Sequence, residues 1–155
     1  MKILLTGAAG NIGTHVLNHL LQENHSVAAL DILPLPPHAL PLPPSSSFTI
    51  LDLCDYAALE TFMKRTGPYQ GIVHLGAIPD PLHHDPRHVH NVNVTSSYNV
   101  LRTAADLGVR RIVQASSVNA VGLSYTPPEH CWLNAVPMDE ETPYKDEDPY
   151  ALSKQ

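Results

Sequence analysis

Lys2-Ile3-Leu4-Leu5-Thr6-Gly7-Ala8-Ala9-Gly10-Asn11-Ile12-Gly13 is the stretch that decides the fold. Lys2 to Thr6 is a short apolar run that breaks into glycines, the pattern of a strand buried on both faces of a parallel sheet. Asn11 to Glu23 then sets Ile12, Val16, Leu17, Leu20 and Leu21 at helical spacing. Ser26 to Asp31 is a second apolar run, closed by a carboxylate. Strand, helix and strand make a βαβ unit with a right-handed crossover. Gly7 allows the tight turn, Gly10 lets backbone approach a pyrophosphate, and Gly13 lets the helix pack on the strand. Backbone N–H groups and the positive end of the helix dipole then face the phosphates. Asp31 stands where a carboxylate accepts hydrogen bonds from the adenosine ribose hydroxyls. It repels a 2′-phosphate there, which favours NAD over NADP.

The pattern changes after Asp31. Pro34, Pro36, Pro37, Pro41, Pro43 and Pro44 forbid a helix between the second and third strands. An irregular, polyproline-like surface connection takes its place; a proline-rich ligand for a partner domain is the lesser reading. Phe48 to Leu51 reads as a third strand. Asp55 to Thr66 reads as a helix with Leu59, Phe62 and Met63 on one face, and Gly71 to Gly76 as a fourth strand. A long helix within Pro86 to Leu107 shows Val94, Tyr98, Leu101 and Ala105 as its apolar stripe, with Gly108 as C-cap. Arg110 to Ser116 reads as a fifth strand. Residues 123–147 lack periodicity and carry four prolines, so they read as loop. Alternating strands and helices predict an α/β fold, a doubly wound parallel sheet of Rossmann type. Ligands of such sheets sit at the carboxyl ends of the strands, so Asp52, Leu53, Gly76 and Ala77 become candidate cofactor residues.

Composition narrows the function classes. A chain of 155 residues with 43% apolar content is expected to form one domain with a real core. A net charge of −6 argues against nucleic acid or an anionic membrane as partner. The acidic surplus between Asp139 and Asp148 reads as a solvated loop. Cys54 and Cys131 form no C-x-x-C motif, and no segment resembles a signal or transmembrane helix. A soluble, cytoplasmic protein is therefore expected. His83, His84, His88 and His90 cluster, but Pro86 interrupts them and no H-E-x-x-H or Cys/His pattern accompanies them. No metal is expected there; the histidines could still line a substrate pocket.

The end of the chain reads Tyr150-Ala151-Leu152-Ser153-Lys154-Gln155. Tyr150 and Lys154 stand at i and i+4, on one helix face. A nearby ammonium favours the phenolate and brings the phenol toward working pH, so that Tyr150 can exchange a proton with a substrate hydroxyl. Asp148 and Pro149 read as N-cap and first-turn proline of that helix.

These pieces together resemble the extended short-chain dehydrogenases/reductases, of the NAD-dependent epimerase/dehydratase family. The resemblance is carried by Thr6 to Gly13 with its G-x-x-G-x-x-G spacing, Asp31, Asp52-Leu53, His74-Leu75-Gly76-Ala77, Asn93, Ser116-Ser117 leading to Gly122, and Tyr150 to Lys154, in order along the whole chain. Ala115 to Gly122 looks more like the uronate dehydrogenase branch, with Ala120-Val121-Gly122 where the family often has Val-Tyr-Gly. The resemblance implies a hydride-transfer enzyme acting on a sugar, a nucleotide sugar or a related hydroxyl or carbonyl compound. It implies Ser117, Tyr150 and Lys154 as the catalytic set, Ser117 being preferred to Ser116 for its distance from Gly122. It implies NAD contacts from Gly7, Gly10, Asn11, Ile12, Gly13, Asp31, Asp52, Leu53, Gly76, Ala77, Asn93 and Ala115, with Tyr150 and Lys154 as well. Family members also carry a C-terminal substrate portion, and commonly dimerise through the long helix and the Tyr-Lys helix.

This chain holds only the first of those two helices whole, which makes a homodimer doubtful. A Tyr-Lys helix of about six residues is expected to fray unless packing holds it. The sequence therefore reads as the N-terminal part of an enzyme, inactive alone, with a non-catalytic NAD-binding regulatory or partner module and a nonfunctional remnant as alternatives.

Overall fold

A computed structural model describes residues 1–79, 82–121, 138–142 and 148–155. Gly122, Cys131 and most of the loop expected over 123–147 lie outside the described residues. The chain divides into two compact units. The first comprises Met1–Ala77 with Thr95–Ala115, and the second Ile78–Val94 with Ser116–Gln155.

The first unit holds the sheet. Its strands are β1 (Lys2–Thr6), β2 (Ser26–Asp31), β3 (Ser47–Ile50), β4 (Gly71–His74) and β5 (Ile112–Gln114), and its helices include α1 (Asn11–Gln22) and α2 (Tyr56–Thr66). The five strands run in the order β3-β2-β1-β4-β5, every pair parallel. The expected doubly wound sheet is what forms. β1 lies at its centre, with Thr6 in register with Leu30 on one side and His74 on the other. Successive strand residues point to opposite faces, and two separate cores result. Leu4, Ala28, Leu30 and Ile72 meet Leu59, Phe62 and Met63 of α2 together with Val100 and Ala104. Leu5, Val27 and Ala29 meet Leu17 of α1.

The proline connection belongs to the second core. It has no helix, and Leu35 and Leu42 tuck against the α1 side of the sheet while most of the prolines stay at the surface. Asn18 of α1 fixes it. Its amide donates to the His38 carbonyl at 3.3 Å, and its side-chain oxygen accepts the Leu40 N–H at 2.8 Å. The connection is thus a strap laid over α1.

α3 (Pro86–Asp106) runs from the second unit into the first. Its start is where Pro86 places it, with the Asp85 carboxylate accepting the N–H groups of Arg87 and His88. Those amides, His88's foremost, hold the Asp85 carboxyl below its ordinary range. Gly108, at φ +70, ends it in the left-handed conformation that favours glycine. The apolar stripe seen in the sequence is not the buried face, however. Val94, Tyr98, Leu101 and Ala105 face outward, while Val89, Asn93, Ser96, Val100, Thr103 and Ala104 are buried. The inward face is built partly from small polar residues, which a stripe of apolar side chains does not mark.

Several ends are shorter than expected. β4 stops at His74 and β5 spans three residues, and β3 begins one residue early. Parallel pairing ends where the chain turns toward the loops at the sheet's carboxyl edge.

The second unit contains the first turns of α3, a 3-10 turn (Val118–Val121) and α4 (Pro149–Leu152). Among the described residues, no helix is long and apolar enough to cross a membrane.

Candidate active site

Gly7 takes φ +72, a conformation an L side chain rarely adopts, and a Cβ there would lie 2.6 Å from the Gly76 nitrogen. The turn out of β1 and the turn out of β4 are therefore in backbone contact. At Gly13 a Cβ would lie 1.8 Å from the Gly7 carbonyl oxygen, so α1 packs directly on the loop. Gly10 is less constrained, with its nearest approach 3.3 Å. Gly10 is also the N-cap of α1 and offers no side chain to close the helix. The N–H groups of Asn11, Ile12 and Gly13 make no hydrogen bond among the described residues. A helix start left open in this way is a seat for phosphate.

Asp31 closes the far wall of the loop. One carboxylate oxygen accepts the Ala9 N–H at 2.8 Å and the other the Leu33 N–H at 3.0 Å. Each oxygen keeps a further lone pair for a ribose hydroxyl. Beside Asp31, Ile32 and Leu33 are exposed apolar side chains, as is Ile12 in the loop. Ile12 was among the expected cofactor contacts, whereas sequence reasoning passed over Ile32 and Leu33; apolar residues just past the end of a strand were the signal.

The turn after β3 is fixed from α3. The Asn99 amide donates to the carbonyls of Leu53 and Cys54, at 2.9 and 3.3 Å. The Asp52 carboxylate accepts the Cys54 N–H at 2.8 Å. Burial first, and then the Asp52 charge, push the Cys54 thiol above its usual range, so it stays protonated and is a poor nucleophile. Leu53 is buried, and its Cδ1 occupies the space a Cβ on Gly76 would need. Ala115 continues the β4–β5 ladder by donating its N–H to the His74 carbonyl at 3.0 Å. Ala77 ends the first of the two segments that make up the first unit.

The second unit assembles the Tyr150 segment. Asp148 caps α4, accepting the N–H groups of Tyr150 and Ala151 at 2.6 and 2.9 Å. Ser153 donates to the Tyr150 carbonyl at 2.6 Å and accepts from the Asn93 amide at 3.1 Å. Asn93 is almost wholly buried. Its side chain also grips Ile78 twice, accepting that N–H at 2.7 Å and donating to that carbonyl at 3.1 Å. Ser116 donates to the Lys154 carbonyl at 3.2 Å, and the Gln155 amide to the Ala120 carbonyl at 3.2 Å. α4 itself ends at Leu152, and the chain continues as a turn. Even so, the Lys154 Nζ lies 5.7 Å from the centre of the Tyr150 ring, within cation–π range. Desolvation holds the Lys154 ammonium below the ordinary lysine range. The Tyr150 hydroxyl makes no hydrogen bond among the described residues. Ser117 Oγ accepts the Asn119 N–H at 3.2 Å.

Of the histidine cluster, His84 and His88 have ring centres 6.4 Å apart, one before α3 and one in its first turn. Among the described residues, no three His, Cys, Asp or Glu side chains stand together as a metal site would require.

A parallel sheet whose central strand leads through a glycine turn into an open helix start, with a carboxylate at the end of the next strand, defines a dinucleotide-binding protein of Rossmann type. Residues 3–155 match the model of the NAD dependent epimerase/dehydratase family, and the chain belongs to that family. It is 30% identical to the dTDP-6-deoxy-L-talose 4-dehydrogenase (NAD(+)) of Aggregatibacter actinomycetemcomitans, over 99% of this chain and 52% of that protein. It is 31% identical to the uronate dehydrogenase of Pseudomonas putida, over 99% of this chain and 51% of that protein. Among solved structures, a UDP-galactose 4-epimerase superposes with TM-score 0.77 at 30% identity, over 99% of this chain and 48% of that one. The Bordetella bronchiseptica enzyme WbmG, in complex with NAD and UDP, superposes with TM-score 0.80 at 26% identity, over 99% and 46%. The chain thus spans about half the length of the curated relatives it matches. NAD is the cofactor this family uses, and the loop fits it: open amides for the phosphates, bare backbone at Gly7 and Gly76, and a carboxylate at Asp31.

Proposed function

We propose that this chain is the cofactor-binding and acid–base half of an NAD-dependent enzyme that oxidises or reduces a hydroxyl-bearing carbon of a sugar, a nucleotide sugar or a sugar acid. The observation that carries the proposal is the Tyr150 segment. A phenol with no hydrogen-bond partner among the described residues is held beside an ammonium by a capped, cross-braced turn. Bound NAD supplies a hydride acceptor at its nicotinamide ring. The protein's own residues manage the proton and the reacting oxygen. Tyr150, as phenolate, takes the proton from the substrate hydroxyl and returns it in the reverse direction. Lys154 steadies that phenolate with its positive charge. Ser117, whose oxygen already accepts the Asn119 amide, has its own hydrogen to direct at the reacting oxygen. A dehydrogenase ends with this half-reaction, and an epimerase that works through a carbonyl would reverse it.

The test is turnover by the full-length protein against nucleotide sugars and free sugar acids. Tyr150→Phe is expected to lower kcat by about 100-fold or more while the Kd for NAD stays within about threefold. Turnover that survives the substitution sinks the assignment. NAD binding by wild type with no turnover on any of these substrates leaves a non-catalytic NAD-binding module in its place. Cofactor choice has its own check. The wild-type chain is expected to prefer NAD to NADP, and Asp31→Ser to narrow the gap by about tenfold or more. Preference for NADP by the unaltered chain refutes the charge argument.

The outward stripe of α3, with Tyr98 65% exposed, is the face through which the whole protein would pair with a second copy. Two cysteines in the chain fit a reducing compartment, the cytoplasm.

A further inference from the structure

Beneath the phosphate loop lies a buried polar chain that the acid–base chemistry does not use. Thr6, the last residue of β1, and His74, the last of β4, are both almost wholly buried. The Thr6 hydroxyl oxygen accepts the Gly76 N–H at 3.3 Å and stands 2.6 Å from His74 Nδ1. On the other side of the ring, His74 Nε2 is 3.2 Å from the Ser97 hydroxyl of α3, which also accepts the Gln114 amide of β5 at 3.3 Å. A hydroxyl has one hydrogen. Thr6 and Ser97 each already accept one amide N–H, so the contact lengths distinguish the two sides: 2.6 Å at Nδ1 is the length of a hydroxyl donating, and 3.2 Å at Nε2 suits a ring N–H donating, which puts the Thr6 hydrogen on His74 Nδ1. The imidazole is then neutral, with its proton on Nε2, donated to Ser97. In this arrangement His74 orients the Thr6 hydroxyl, and Thr6 holds the Gly76 amide. Gly76 is the residue whose nitrogen would lie 2.6 Å from a Cβ on Gly7. The gap between the two turns that flank the dinucleotide is therefore set from below.

We infer that His74 is a positioning residue for the cofactor, held as the neutral Nε2–H tautomer, and that it acts on the phosphate loop through Thr6 and Gly76. This rests on the proposed use of the glycine loop for NAD. The role makes a prediction that a packing role does not. An Asn side chain places its oxygen two bonds from Cβ, as Nδ1 is placed, and can still accept from Thr6. A Gln side chain places its amide three bonds out, as Nε2 is placed, and can reach Ser97 but not Thr6.

The experiment measures NAD affinity for wild type, His74→Ala, His74→Asn and His74→Gln, with the thermal midpoint of each. Nitrogen-15 NMR of the wild-type imidazole in the absence of NAD accompanies it. Expected are a bare Nδ1 with a protonated Nε2, NAD binding weakened about tenfold or more in His74→Ala and His74→Gln, and recovery to within about threefold in His74→Asn. An Nδ1–H tautomer overturns the inference, and does so even where the variants do not fold. Unchanged NAD affinity in His74→Ala overturns it. So does equal loss in all three variants in step with their thermal midpoints, which would make the residue merely structural. A wild-type chain that shows the Nε2–H tautomer but does not bind NAD instead refutes the cofactor reading itself, and the positioning role falls with it.

Discussion

The phosphate loop and the Tyr150 segment are both short pieces of chain that must be held still, and they are held by different physics. The loop is fixed by what it lacks. Side chains are absent at Gly7 and Gly13, and backbone touches backbone, at Gly13 within the loop itself and at Gly7 across to Gly76. The Tyr150 segment is fixed by what it gains. Four helical residues would not persist alone; Asp148, Asn93, Ser116 and Ala120 each supply a hydrogen bond to it, three of them from far away in sequence. A loop of the first kind resists small changes and fails abruptly when a methyl group intrudes. A turn of the second kind loses its order in steps.

The largest expected effect tests the first half of that contrast. Gly13→Ala forces a Cβ to within 1.8 Å of the Gly7 oxygen, so helix and loop must part. We expect NAD binding to weaken by about 100-fold or more and stability to fall by about 3 kcal/mol, in the range of overpacking a rigid site. Gly10→Ala meets only a 3.3 Å contact and is expected to weaken NAD less than about tenfold, by crowding the phosphate seat. Isothermal titration and thermal unfolding of the two variants decide it. Equal effects would show that the loop is not governed by backbone contact.

The second half is tested by graded loss. Asp148→Ala removes the cap that bonds Tyr150 and Ala151 and is expected to cost about 1 kcal/mol. Asn93→Ala removes one hydrogen bond to Ser153 and two to Ile78, all at buried or half-buried groups, and is expected to cost about 2 kcal/mol. Hydrogen exchange at the amides of residues 150–154 should quicken in both variants, while the amides of Gly7 to Gly13 keep their wild-type rates. Quickened exchange in the loop as well would mean that the two sites are not held independently.

That contrast also explains what could be read from the sequence. Asp31 was legible because it ends the next strand, and the glycine spacing and the strand before it because a glycine turn between strand and helix leaves a local pattern. Pro34 to Pro44 announced the missing helix for the same reason. The strap's attachment was not legible, since Asn18 is an ordinary polar residue until Leu35 and Leu42 bring the chain over it. The buried face of α3 was hidden for a related cause. Ser96 and Thr103 are polar by type yet face inward, and Thr103 has no hydroxyl partner among the described residues. Sequence pattern assigns faces by hydrophobicity, whereas close approach of a helix to a sheet also selects for small size. Asn93 and Asn99 were equally hidden. One was expected at the cofactor and the other was passed over, yet both act as clamps on backbone carbonyls. Such partners are non-local, and no periodicity encodes them.

The smallest effect concerns Lys154. Burial lowers its pKa from the ordinary 10.5, so the folded chain binds fewer protons than the unfolded chain at pH values between the two. Stability then rises with pH through that window and levels off above 10.5, while at neutral pH the desolvation penalty is fully present. Burial of the Tyr69 phenol works in the opposite direction, raising its pKa so that stability falls as the pH climbs past the ordinary tyrosine value of 10.0. Wild type alone therefore shows a blurred profile, and the informative quantity is the difference between wild type and Lys154→Met. That difference should favour Lys154→Met most near pH 7 and shrink steadily toward pH 10.5, measured by urea unfolding at each pH. A difference that does not change with pH would show that the Lys154 ammonium is solvated in the fold. The cross-braces on the Tyr150 segment would then shape its backbone without excluding water from the charge that the proposed phenolate needs.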